Sequence, residues 1–305
     1  MSLQNRQIEA IIENIDAQIA SNKRRNIFCV EDNDFWFSHA TKASLAQHRD
    51  MVKSLTAQEK KYIMHYMAER FMETCFDVNQ YIDFSRQEYL SIIALYDSLL
   101  SDMSDSALSN EAIEVRHHDR IQHLIKVTNH FIYELNANKQ KQVVPVVCAE
   151  YSPEFQVGLL QIGLDERLVE PILDIGCGRQ GRLVSYLREQ GFAAYGVDRL
   201  CPSSSCLFRQ NWLEFDYGKE KWGTILANLS FSSHFINNYL RQDSDHIVYA
   251  KTYMRILASL KRRGRFIYAP SVPFIEDLLP KEHYHVNRNA IDPVFYKTEI
   301  LKADQ

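Results

Sequence analysis

Four residues in the middle of the chain have types and spacing suited to chemistry. Asp174, Gly176 and Gly178 stand two residues apart in Pro171-Ile-Leu-Asp-Ile-Gly-Cys-Gly-Arg-Gln-Gly181, and Asp198 follows downstream. Paired glycines let the backbone turn sharply and let another group approach where a Cβ would stand. Gly176, Gly178 and Gly181 also spell Gly-x-Gly-x-x-Gly, a pattern that seats a pyrophosphate at a helix N-terminus. Asp174 argues for a different ligand. A carboxylate just before the turn serves a pyrophosphate poorly and welcomes a cation. An acid at position 198 can accept from both hydroxyls of a ribose. The chemistry implied is capture of a nucleoside-like molecule with a positively charged end.

These residues need a strand, a turn, a helix and a second strand to hold them. Ile172 to Ile175 reads as the first strand, Gly176 to Gly181 as the turn, Arg182 to Gln190 as the helix, and Ala193 to Val197 as a strand ending at Asp198. This is a βαβ opening of the kind that holds nucleotides. Alternation continues after it. Cys206–Arg209 is a third strand, running into Asn211-Trp212, and 224–229 is a fourth. Segments 233–241 and 245–260 are helices, and the turn 261–264 precedes a fifth strand at 265–269. A short helix at 274–279 leads to two last strands, 284–288 and 295–301, which can pair antiparallel.

The first 140 residues are built differently. Ile8, Ile11, Ile12, Ile15 and Ile19 repeat at three and four, the period of an amphipathic helix. Helices follow at 41–54 and 57–75. Thr56-x-x-Glu59 and Ser85-x-x-Glu88 have capping-box spacing, and the second opens a helix through about Leu100. Segment 101–109 reads as a polar turn, and a long helix runs from Asn110 to Asn136. Phe35, Trp36 and Phe37 form an aromatic cluster that either packs in a core or lines a pocket. His117, His118, His123 and His130 lack the partners of a metal set and read as packed or solvated; no metal is expected. Residues 139–142 form a polar linker, and 143–149 an apolar stretch broken by Pro145. Ser152-Pro153 starts a helix. The expected domains are an all-α segment, 1–142, and an α/β segment, 143–305.

Net charge is −4 over 305 residues. Neither half carries the basic excess of a nucleic-acid surface. No apolar run is long enough to span a membrane, and the start lacks the form of a signal peptide, so a cytoplasmic location is expected. Six scattered cysteines read as free thiols.

With Asp174, Gly176 and Gly178, the stretch resembles motif I of class I S-adenosylmethionine-dependent methyltransferases, Asp-x-Gly-x-Gly-x-Gly. Here Gln180 holds the third glycine's place and Gly181 follows. The resemblance covers about residues 145–303. It implies a Rossmann-like, mostly parallel seven-stranded sheet and S-adenosylmethionine as cofactor. It implies that Asp174, with the backbone of Gly176, Cys177 and Gly178, engages the methionine end. Asp198 would hold the ribose, and Arg199 would flank the adenine. Asn211 would accept from the adenine amino group, while Trp212 either stacks on the ring or packs in the core. Glu150 and Tyr151 would lie near the methionine end. Asn228-Leu-Ser-Phe231 would close the fourth strand beside the methyl donor, with His234 as candidate general base. A small-molecule acceptor and a homodimer are the expected partners. Two other readings remain open: a methyltransferase-like module without activity, and a nicotinamide-dependent oxidoreductase.

Overall fold

Isoleucines at helical spacing roll the N-terminal segment into α1 (Leu3–Ser21). It is followed by α2 (His39–Ser54), α3 (Ala57–Val78), α4 (Arg86–Ser104) and α5 (Asn110–Val127). The computed structural model describes residues 3–22, 36–127, 151–163, 168–240 and 246–304. The chain divides into two compact units, Met1–Val147 and Cys148–Gln305. Both capping boxes form. Glu59 Oε2 accepts from the Thr56 backbone N–H at 2.8 Å, and Glu88 Oε2 from that of Ser85 at 2.7 Å; such caps contribute about 1 kcal/mol each. Leu45, Val52, Ile63, Leu99, Met103 and Ile113 meet in the core of this unit.

Helix α4 runs further than expected, to Ser104, because Met103 belongs to that core and holds the last turn helical. Trp36 stacks on His118 at 4.0 Å, and Phe37 tilts against His117 at 5.7 Å. The aromatic pair therefore packs on α5. The expected end of α5 lies outside the described residues, as do Phe35, His130, Glu150, Cys29, Cys148, the linker and the 143–149 stretch.

The second unit begins with α6 (Pro153–Leu159), whose cap Ser152 accepts from Phe155 N. Then come β1 (Ile172–Ile175), α7 (Arg182–Glu189), β2 (Ala194–Asp198), β3 (Leu207–Arg209) and β4 (Trp222–Asn228). Helices α8 (Phe231–Leu240) and α9 (His246–Ser259) precede β5 (Leu260–Ala269), α10 (Pro273–Glu276), β6 (Tyr284–Ala290) and β7 (Tyr296–Lys302). The seven strands form one sheet in the order β3-β2-β1-β4-β5-β7-β6. Strands β1 and β4 are buried almost end to end, as strands covered on both faces must be, and are apolar apart from Asp174, Thr224 and the terminal Asn228. Leu183, Val184 and Leu187 form the buried stripe that seats α7.

Two expectations need correction. The sheet is mixed rather than mostly parallel: β7 runs antiparallel to both β5 and β6. The α10 connection returns β6 in the direction of β5, and the short turn from Ala290 to Tyr296 then sends β7 back antiparallel between the two. The segment 261–264 is part of β5, not a free turn. Leu260 pairs with Trp222, and the register then shifts so that Arg265 pairs with Thr224. The extra residues bulge, with Arg263 at φ +57°, and pairing resumes beyond them.

The strand order reverses between β1 and β4. In an open α/β sheet such a switch point leaves a crevice outside the carboxyl ends of the two strands. Ile175, Gly176, Asn228 and Leu229 lie there.

Candidate functional site at the β1–β4 switch point

Asp174 is the next-to-last residue of β1 and is 1% exposed. Its Oδ2 is buried without a hydrogen-bond partner among the described residues. Burial, and then the charge of Asp198, push its carboxyl up to about 7. A buried acceptor left in this state costs about 1–3 kcal/mol. A cation placed beside it would both satisfy the oxygen and restore the ionised form.

The turn after β1 keeps its glycines for identifiable reasons. Gly176 and Gly178 have φ +78° and +75°, where side chains other than glycine are strained. A Cβ on Gly176 would also stand 2.4 Å from Ser230 Cβ and 3.0 Å from Trp212 Cζ3. Here glycine admits the protein's own side chains. Ser230 Oγ donates to Ile175 O at 2.6 Å, tying the end of β4 to the end of β1.

Asp198 ends β2, buried to 8% exposure. Its Oδ2 accepts from Gly178 N at 3.1 Å and its Oδ1 from Leu200 N at 2.8 Å. The carboxylate thus fixes the glycine turn to the end of β2. Cys177 sits in the space that Gly196 leaves open, since a Cβ there would meet its Sγ at 2.7 Å. Its hydrogen bond with Cys201, then burial and the carboxyls of Asp174 and Asp198, push the Cys177 thiol up. It is a packed thiol rather than a nucleophile.

On the far side of the crevice, Leu229 holds φ +51° between Asn228 and Ser230. A branched side chain in the left-handed region is an outlier of the kind that gathers at functional sites. Asn228 Oδ1, Ser232 Oγ and Asn237 Oδ1 are further buried atoms without partners among the described residues. Trp212 lies edge-on to His234 at 4.9 Å and to Phe231 at 6.4 Å. His234 is 6% exposed; burial, then the charge of Arg199, hold its imidazole down at about 3. It is neutral and weakly basic at neutral pH.

The structure therefore gathers Asp174, Gly176, Cys177, Gly178 and Asp198 around one turn. Trp212 and His234 meet by ring contact, with the charge of Arg199 acting on His234. Asn211 Oδ1 already accepts from Leu213 N at 3.0 Å. Tyr151 stacks on Phe155 at 4.6 Å, at the start of α6. The sequence placed the run Asn228-Leu-Ser-Phe231 at this strand end without roles for Leu229, Ser230 or Ser232, and did not point to Asn237.

No protein-family model matches the chain, and no curated protein does. Solved structures do. One is the Burkholderia thailandensis 1,6-didemethyltoxoflavin-N1-methyltransferase with bound 1,6-didemethyltoxoflavin and S-adenosylhomocysteine. It has 20% identity and a TM-score of 0.37, covering 51% of this chain and 80% of that one. Another is the N-methyltransferase NodS from Bradyrhizobium japonicum WM9, at 14% identity and TM-score 0.36, over 49% and 95%. A third is an rRNA methylase from Streptococcus thermophilus, at 14% identity and TM-score 0.31, over 51% and 99%.

Proposed function

We propose that the second unit binds S-adenosylmethionine and transfers its methyl group to a small-molecule acceptor. The observation that carries this reading is Asp174: a buried carboxyl at the sheet's switch point, with an oxygen that lacks a partner and a titration raised to about 7. That site suits a cation. The strand order and the late antiparallel pair agree with the class I methyltransferase fold that motif I implies. When bound, the cofactor supplies a methyl group activated on a sulfonium.

The chain's own residues have distinct tasks in this reading. Asp174 holds the α-ammonium. The backbone of Gly176, Cys177 and Gly178 shapes the turn around it. Asp198, at the end of β2, holds the ribose, Arg199 flanks the adenine, and Asn211 and Trp212 border that ring. Asn228 faces the reacting end with an unsatisfied Oδ1. His234 packs behind Trp212. With its imidazole near 3, it is mismatched as a proton acceptor at neutral pH. An acceptor nucleophile that reacts without losing a proton first would suit such a site. Orientation alone can supply up to about 7–11 kcal/mol of the barrier. Net charge −4 supports a small acceptor over nucleic acid. We also read residues 1–142 as a separate helical domain preceding the catalytic one.

A second reading, a methyltransferase-like module without turnover, is favoured by the packing of Ser230 and Trp212 against Gly176. A nicotinamide cofactor fits poorly, because Asp174 would face its pyrophosphate. The test is transfer of a labelled methyl group from S-adenosylmethionine to cell extract sorted into small-molecule, protein and RNA fractions. Label in the small-molecule fraction supports the proposal. Label only in protein or RNA overturns the acceptor class, and cofactor binding without label in any fraction favours the module.

A further inference from the structure

The helical unit contains a cavity of about 150 Å³, walled by residues of all five of its described helices. Its wall is predominantly aliphatic and includes Val52, Ile63 and Leu100. No Asp, Glu, Lys or Arg lines it among the described residues. A charged ligand would therefore be buried without a counter-charge, which costs far more than such a site returns. The lining thus favours a neutral ligand.

The wall is not wholly apolar. His117, 6% exposed, lines the cavity and, like His48 in the same wall, keeps its Nδ1 without a hydrogen-bond partner among the described residues. Its ring is held by Phe37 at 5.7 Å and Tyr96 at 5.9 Å, and both of these also line the cavity. Burial is the largest of the causes that hold its imidazole down at about 4, so it is neutral at physiological pH. A neutral imidazole nitrogen can donate or accept according to tautomer. A buried polar atom without a partner is destabilising, and a ligand bearing one polar group would relieve it. An apolar cavity of about this volume accommodates a single six-membered ring.

We propose that the helical unit is a binding site for a neutral, single-ring apolar molecule of the phenol class, with its hydroxyl on His117 Nδ1. This site is separate from the methyl-donor site and does not depend on it. It would make the N-terminal segment a ligand-binding domain for small aromatic compounds.

Phenol and benzene are the probes, titrated to about 10 mM against the full chain by calorimetry and by ring-current shifts in proton NMR. The expected result is saturable binding of both, with phenol tighter. In His117→Phe the phenol affinity falls about tenfold, the loss of one hydrogen bond, while benzene still binds. Leu100→Phe narrows the cavity and weakens binding of both; it adds apolar volume to an existing space, so it keeps the assay informative if His117→Phe misfolds. The proposal is overturned if neither probe binds the folded wild-type chain, which would leave a cavity holding only water. It is also overturned if binding survives Leu100→Phe unchanged, or if His117→Phe folds and binds phenol as tightly as wild type.

Discussion

Replacing Asp174 by Asn should separate stability from binding. A free aspartate titrates near 3.8, and Asp174 in the fold titrates at about 7. The folded state therefore holds a proton that the unfolded chain has already released. This contribution is favourable below about pH 4, is lost progressively as pH rises, and is fully lost above about pH 7. The gap corresponds to at most about 4 kcal/mol. Asn removes the ionisable group, so at about pH 8 the free variant should unfold several degrees higher than wild type. Binding should change in the opposite sense. A cationic ligand requires the ionised carboxylate, so wild-type affinity for S-adenosylmethionine should be roughly eightfold weaker at about pH 6 than at about pH 7.5. Nearly one proton should be released per ligand bound at about pH 6, read from calorimetry in buffers of different ionisation enthalpy. In Asp174→Asn the affinity should fall by at least tenfold and lose this pH dependence. The reasoning is refuted if the variant is less stable than wild type yet binds equally well, or if wild-type binding is flat across that pH range.

Three other perturbations probe the same architecture. Gly176→Ala places a Cβ 2.4 Å from Ser230 Cβ at φ +78°, so it should cost roughly 2–4 kcal/mol by denaturant titration and remove cofactor binding. Buried Glu276 accepts from Tyr268 Oη at 2.6 Å, Val272 N at 2.7 Å and Thr298 Oγ1 at 2.9 Å while pairing with Arg288. Glu276→Gln should therefore destabilise the second unit by about 3 kcal/mol, and a double-mutant cycle with Arg288→Met should show strong coupling. For His234, whose imidazole titrates at about 3, kcat/KM should show no limb from this residue between about pH 5 and pH 8; such a limb in wild type that disappears in His234→Asn would make it the base after all.

The elements around Asp174 were legible because each rests on local chemistry. A strand, two glycines, a helix and an acid at the next strand's end are specified within thirty residues or so of chain. Thr56 and Ser85 announced their helices for the same reason, since a capping box needs only four residues. Partner choice was less legible. The last two strands read as an antiparallel pair, but nothing in 284–301 states that β7 lies beside β5 and runs against it, and the mostly parallel sheet was expected from the resemblance. The bulge at 261–264 has the composition of a turn, and only the pairing of Leu260 with Trp222 reveals it as strand. The packing of Trp212 and Ser230 on Gly176 joins residues far apart in sequence. The raised titration of Asp174 depends on burial, which a motif does not encode. The cavity beside His117 is assembled from five helices, and its lining differs little in sequence from any helical core.

The proposed task of the glycine turn with Asp174 and Asp198 is to bind a sulfonium nucleoside. Calorimetry on the full chain with S-adenosylmethionine, S-adenosylhomocysteine and NAD tests it most directly. The first two should bind, NAD should not, and Asp174→Asn should sharply weaken the binding. Binding of NAD alone, or of none of the three to the folded chain, would contradict it.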